Sequence, residues 1–159
     1  MTLLEPFRAP GTGPVHQVGI VVEDVERAIA GHNRLLGYGD ADWRRADFGP
    51  ESVERLLFRG EPVEFSIRLG FAGSNPELEL IEPVSGPSIY REWLDERGEG
   101  LHHLAVVVTS LAETTAAMEH AGFGVVQTGT GFAPEGRGGF AYYETGQALG
   151  YVLEAVELP

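Results

Sequence analysis

Two stretches of the chain carry the same run of apolar strand positions. Val18-Gly19-Ile20-Val21-Val22 and Leu104-Ala105-Val106-Val107-Val108 both predict short strands rich in β-branched residues. Each follows a polar pair, His16-Gln17 in the first case and His102-His103 in the second. A helix-capping residue then stands at matching positions, Asp24 and Ser110. Helical spacing follows each cap. Val25, Ala28, Ile29 and Leu35 or Leu36 run up to Gly37, and Leu111, Thr114, Met118 and Ala121 run up to Gly122. Ser110 and Glu113 also have capping-box spacing.

The two halves close alike. Leu78-Glu79-Leu80-Ile81-Glu82-Pro83 matches Leu153-Glu154-Ala155-Val156-Glu157, with a proline two residues later. Between helix and closing strand the pattern predicts two more strands in each half: Val53–Phe58 and Val63–Phe71, then Val125–Thr128 and Phe140–Glu144. The reading is α+β, with two tandem βαβββ modules in a single domain over 1–159. Module one covers about 14–83 and module two about 100–158. Between them a linker helix is expected over about 87–98, with Ile89, Trp93 and Leu94 on one face and Gly98 after it.

Composition narrows the chemistry. The chain carries 24 acidic side chains against 11 arginines, no lysine and no cysteine, for a net charge of −13. Such a field repels nucleic acid and anionic membrane, so neither is an expected partner. The absence of cysteine removes disulfides, zinc–thiolate sites and cysteine nucleophiles; the absence of lysine removes Schiff-base chemistry. Catalysis, if any, must run on His, Asp, Glu, Tyr, Ser or a metal held by N and O donors. Met1 to Pro14 has no basic head and no sustained apolar run, so it reads as a loose arm, and a cytoplasmic location is the expectation. The apolar runs are too short to span a bilayer.

Strand alternation sorts the polar residues onto faces. Val18, Ile20 and Val22 point one way, as do Leu104, Val106 and Val108; these faces are expected under the helices. His16 and His102 share that face and read as structural histidines. Gln17, Gly19 and Val21 point the other way, with His103, Ala105 and Val107. The small residues at 19 and 105 leave space beside Gln17 and His103. Glu79 and Glu154 sit on closing strands among apolar neighbours, where a carboxylate is costly unless it is paired or bound to a cation. If the modules pair about a pseudo-twofold axis, Gln17, Glu79, His103 and Glu154 converge. One imidazole, one amide oxygen and two carboxylates suit a divalent ion such as Zn, Ni, Co or Mn.

The stretches HQVGIVVEDVERA, ELELIEP, REWLDERGEGLHHLAVVV and YVLEAVE resemble the vicinal oxygen chelate superfamily, which includes glyoxalase I, methylmalonyl-CoA epimerase, extradiol dioxygenases and antibiotic-resistance proteins. The resemblance runs from Val15 to Glu157, and its third stretch is most similar to the methylmalonyl-CoA epimerase branch. It implies a cup-shaped, partly closed mixed β-barrel with flanking helices. It also implies metal ligands on the first and last strands of each module, which fall here on Gln17, Glu79, His103 and Glu154. A one-residue register slip would put His16 in place of Gln17. The epimerases use the order His, Gln, His, Glu; the order Gln, Glu, His, Glu resembles some glyoxalase I enzymes. Iron-dependent dioxygenases use two histidines and one carboxylate, so iron fits this set less well.

The activity implied is a metal-dependent isomerase, epimerase or lyase that moves a proton next to a carbonyl through a metal-stabilised enediolate. Extradiol-type dioxygenation and non-catalytic binding of a small molecule such as an antibiotic are the alternatives. Glu154 is the expected base. Glu64, between Val63 and Phe65 on a predicted strand, is the candidate for a second. Arg68 is a candidate contact for a substrate anion, and Phe132, Phe140 and Tyr142 are candidate apolar walls beside the glycine-rich loop 129–139. The partner expected is a small carbonyl compound. Members of the superfamily pair modules within a chain or across a homodimer, and a homodimer is expected here.

Overall fold

In the computed structural model, which describes residues 12–159, the two repeated strands lie side by side at the centre of one mixed sheet. The expected N-terminal arm lies outside the described residues up to Gly11. The first half holds β1 (Val15–Val21), α1 (Val25–Leu36), β2 (Arg44–Phe48), β3 (Arg55–Phe58), β4 (Glu61–Pro62), β5 (Ser66–Ala72) and β6 (Glu77–Ser85). Helix α2 (Ile89–Arg97) links it to β7 (Gly100–Val107), α3 (Leu111–His120), β8 (Val125–Thr130), β9 (Gly139–Tyr143), α4 (Gly146–Leu149) and β10 (Val152–Glu157).

The ten described strands run in the order β2-β5-β6-β1-β7-β10-β9-β8-β3-β4. β1 pairs antiparallel with β7, and each has a parallel closing strand on its far side, β6 and β10 respectively. The order β2-β5-β6-β1 is therefore mirrored by β8-β9-β10-β7, the signature of two equivalent modules. The sheet curls into a half-barrel with four flanking helices, as the α+β reading expects. Phe48 on β2 meets Phe140 on β9 across the cup, ring centroids 6.0 Å apart.

The caps form as the side chains dictate. Asp24 accepts from Arg27 N–H, Ser88 from Arg91 N–H and Ser110 from Glu113 N–H. Gly37 takes φ 78°, the left-handed conformation that ends α1 without a Cβ clash. Outside the cup, Val22 and Leu80 pack under Val25 and Ile29 of α1, where full burial of Ile29 contributes roughly 1.5–3 kcal/mol. Val106, Val108 and Ala155 pack against Met118 of α3 in the same way. Inside the cup, Val21, Phe65, Ile67, Leu69, Phe71, Ile81 and Tyr142 meet Ile89 and Tyr90 of α2. No described helix is long and apolar enough to cross a membrane.

One strand assignment changes. The expected first-half strand Val53–Phe58 shortens to β3, which leaves its own module and pairs with β8 of the other half. The strand that completes module one is β2, read from Arg44-Arg45-Ala46-Asp47-Phe48. It is an edge strand, and edges tolerate charge that protects them from pairing with other chains. Its charged residues hide an inward pair, Ala46 and Phe48, that packs against the cup interior.

Candidate metal centre

His103 stands at the centre of the cup because Gly19 lies directly opposite it on β1 and offers no side chain. A β-carbon at 19 would overlap the imidazole ring. Glu79, on β6, is paired with Gly19 from the other side, and Glu154, on β10, is paired with Ala105. Two small residues on the central strands thus leave room for one imidazole and two carboxylates from the flanking strands. His103 and Glu154 are 2% and 5% exposed, so neither is solvated as a surface residue would be.

His103 Nε2 lies 3.2 Å from Glu79 Oε2 and 3.1 Å from Glu154 Oε2. These approaches lack hydrogen-bond alignment, and all three atoms are buried without a hydrogen-bond partner. Donors held about 2.1 Å from one divalent ion, in tetrahedral or octahedral array, stand about 3.0–3.4 Å from their adjacent neighbours. The two distances from His103 match that spacing, and one ligand atom from each of the three residues lies within 4.8 Å of the others. Three orphaned donors at ligand separation fit a divalent cation, which would satisfy every one of them.

Electrostatics agree. Burial would lower the His103 pKa, but the carboxylates of Glu154 and Glu79 outweigh it and raise it to about 9. Burial pushes the Glu79 carboxyl above its ordinary range, against the pull of His103. Tyr90 Oη donates to Tyr142 Oη at 2.8 Å, and burial, reinforced by the charge of Glu154, raises both phenols well above 10. Burial, with His103 and Arg97 adding to it, holds the His102 pKa well below 6.5.

The centre opens into a cleft of about 420 Å³. Gln17, His16, Phe132, Phe140 and Tyr142 line it with Glu79 and Glu154, so the candidates from both ends of the repeat reach one cavity. Gln17 Nε2 donates to Glu77 Oε1 at 2.7 Å, which leaves the amide oxygen free of that contact. Arg44 lies 3.7 Å from Glu77 Oε2 and over the ring of Phe71. Sequence reasoning misses Glu77 and Tyr90. Alternation in ELELIEP puts Glu77 on the face of Glu79, a signal that was available; Tyr90 arrives from the linker helix, which no strand pattern indicates.

Two candidates fall outside the cup. Phe65, Ile67, Leu69 and Phe71 supply the inner face of β5 and its approach, so the alternate residues point outward. Glu64 is exposed in a separate depression beside Val53 and Arg55. Arg68 is exposed and paired with Glu82 at 3.1 Å. Neither reaches the centre. His102 also departs from expectation: the β1–β7 register shifts between Gly19 and Ile20, so β7 carries an extra residue. The bulge buries His102 beside His103, against Tyr90, Trp93 and Tyr142, and not beneath α1 or α3.

The comparisons follow this architecture. The family model described as Glyoxalase/Bleomycin resistance protein/Dioxygenase superfamily matches residues 16–143. The uncharacterized protein YqjC of Bacillus subtilis (strain 168) is 30% identical over 101 residues, 64% of this chain; the match spans 61% of that relative's length. Among solved structures, a methylmalonyl-CoA epimerase from Mycobacterium tuberculosis superposes with a TM-score of 0.65 at 19% identity, covering 98% of this chain and 94% of the other. A Streptomyces coelicolor methylmalonyl-CoA epimerase variant in complex with 2-nitronate-propionyl-CoA gives 0.59 at 18% identity, covering 92% and 97%. At such identities the superpositions speak for the fold.

Proposed function

This chain belongs to the glyoxalase/bleomycin resistance protein/dioxygenase superfamily, and from that membership we propose that it is a divalent-metal-dependent isomerase or epimerase that exchanges a proton next to a carbonyl. The observation that carries the reading is the trio of buried, unpartnered donors on Glu79, His103 and Glu154 at the floor of an aromatic cleft. Gln17 is the proposed fourth ligand, through its amide oxygen. A bound divalent ion supplies Lewis-acid polarisation of the carbonyl and takes up charge as the carbon loses its proton, a contribution of several kcal/mol.

The protein's own groups do the rest. Glu154 faces the cleft and is the proposed base. Glu79 reaches the centre from the other module and is the proposed group that returns the proton; burial raises its carboxyl above the ordinary carboxylate range. It takes the place Glu64 was expected to fill. The Tyr90–Tyr142 pair stays protonated and screens the centre from water. Phe48, Phe71 and Phe140 give the cleft apolar walls, and Arg44 at its mouth is engaged by Glu77. These walls support a compact, apolar or aromatic carbonyl substrate over one carrying several phosphates. A site with one imidazole and two carboxylates differs from the two-histidine, one-carboxylate set of iron oxygenases, which favours proton transfer over dioxygenation.

The test is exchange in heavy water. Metal-loaded protein is incubated with a panel of 2-oxo, 2-hydroxycarbonyl and thioester compounds, and deuterium at the carbon next to the carbonyl is followed by NMR. Incorporation that depends on metal and disappears in Glu154→Gln supports the reading. A metal-bound protein that exchanges no compound in the panel overturns it.

A further inference from the structure

Behind the centre, away from the cleft, the second ring nitrogen of His103 has a partner of an unusual kind. His103 Nδ1 lies 3.0 Å from His102 Nδ1, and both imidazoles are buried, 2% and 0% exposed. The bulge in β7 makes this contact, because neighbouring residues on a regular strand face opposite ways. His102 is held edge-on by Trp93, ring centroids 5.0 Å apart, and packs against Tyr90 and Tyr142. Its other nitrogen, Nε2, is buried and has no protein partner; the residue lines a cavity of about 110 Å³ beneath α2, with Trp93 and Val126.

We propose that His102 is a positioning residue that fixes the tautomer and ring plane of His103. The inference rests on the reading of Glu79, His103 and Glu154 as a metal centre. One hydrogen must lie between the two Nδ1 atoms. If His102 supplied it, a neutral His103 would carry its own hydrogen on Nε2, aimed at the two carboxylates, and no lone pair would face the centre. With the hydrogen on His103 Nδ1 and His102 accepting, the Nε2 lone pair points between Glu79 and Glu154. His102 then carries its hydrogen on Nε2, the nitrogen that has no protein partner. Outer-shell partners of metal-bound histidines are usually carboxylates or carbonyls. A neutral imidazole orients the ring equally well and adds no third negative charge beside the two already present.

The experiment uses the full chain and Zn²⁺ alone. Long-range ¹⁵N–¹H correlation spectra of the zinc-loaded protein are expected to show hydrogen on Nδ1 of His103 and on Nε2 of His102. Hydrogen on Nδ1 of His102 overturns the proposal without any variant. Calorimetric titration adds an energetic test. His102→Phe keeps an aromatic ring but removes the acceptor, and Zn²⁺ affinity is expected to fall about 10–100-fold. His102→Asn places an amide oxygen near the lost nitrogen and is expected to recover most of that loss, and to restore the Co²⁺ absorption spectrum. Wild-type binding with unchanged affinity in His102→Phe overturns the role of His102 alone. Absence of Zn²⁺ binding by the wild type overturns the metal reading and this proposal with it.

Discussion

Gly19 supports the imidazole of His103 from the facing strand, and the fit leaves no space for a β-carbon. Gly19→Ala must therefore push the ring out of line with Glu79 and Glu154. The expected cost is about 1–3 kcal/mol of overpacking, with at least a tenfold loss of Zn²⁺ affinity by calorimetry. Gly31, in the middle of α1, serves as the control, because a methyl group added there would meet nothing within 4 Å. Gly31→Ala is expected to stabilise the protein by about 0.5–1 kcal/mol and to leave metal affinity unchanged. Equal metal affinity in the two variants would show that His103 is not held by this contact.

Glu79→Gln separates stability from binding. Burial makes the charged carboxylate of Glu79 unfavourable in the metal-free fold, while Glu154 remains to pair with His103. A neutral isostere removes the desolvation cost, so the metal-free melting temperature is expected to hold or rise. Metal affinity should drop by more than the roughly 10–100-fold of an outer-shell change. A lower metal-free melting temperature together with unchanged affinity would assign Glu79 a purely structural ion pair with His103.

The duplicated architecture was legible because each half repeats a strand, a cap and a helical period. Asp24, Ser88 and Ser110 cap the helices that the pattern predicts. The convergence of Glu79, His103 and Glu154 was legible for the same reason: equivalent positions in paired modules must face one another. What stayed hidden depends on contacts between distant segments. β2 carries three charges in five residues, and only its place at the sheet edge makes it a strand. β3 crosses to the other module, which no local period encodes. Alternation alone cannot say which face of β5 lines the cup; the bulky residues at 65, 67, 69 and 71 fill it and leave Glu64 and Arg68 outside. The β7 bulge, invisible in the sequence pattern, turns His102 inward.

The protonation of His103 sets a pH dependence. Its pKa in the metal-free fold is about 9 against an ordinary 6.5, so the folded state binds the proton more tightly than the unfolded chain. That stabilisation is complete below pH 6.5 and is lost as the pH rises through 9. The metal-free melting temperature should fall over this window. Metal must displace the same proton, so affinity should rise up to about tenfold per pH unit below 9 and level off above it. Calorimetry in buffers of different ionisation enthalpy should report release of about one proton at neutral pH. Affinity independent of pH between 6.5 and 9 would exclude His103 as the ligand that titrates.

Tyr90 and Tyr142 join the linker helix to the second module through one buried bond, Oη to Oη at 2.8 Å. Removing either hydroxyl leaves the other short of a partner, at about 1–3 kcal/mol. Tyr90→Phe and Tyr142→Phe should each destabilise by that amount in urea unfolding, and the double variant by less than their sum. A coupling of about 1 kcal/mol is expected. Strict additivity would mean the two phenols make independent contacts.

Gln17, the proposed fourth ligand, is held in place by Glu77. Glu77 takes a hydrogen bond from Gln17 Nε2 at 2.7 Å while Arg44 approaches its other oxygen at 3.7 Å. An amide whose nitrogen is committed in this way has its oxygen as the donor left for a cation. On the proposed reading, Glu77 orients Gln17 toward the centre. Glu77→Ala releases the amide to rotate, and metal affinity should fall about 10-fold. Gln17→Ala should cost at least as much. The double variant should match Gln17→Ala alone, because without the amide there is nothing for Glu77 to orient. If Gln17 stands outside the coordination sphere, neither change moves the affinity. His16, exposed at the same cleft, offers the competing assignment. A loss of affinity in His16→Ala, with Gln17→Ala silent, would transfer the ligand role to the histidine and shift the register of the first repeat by one residue.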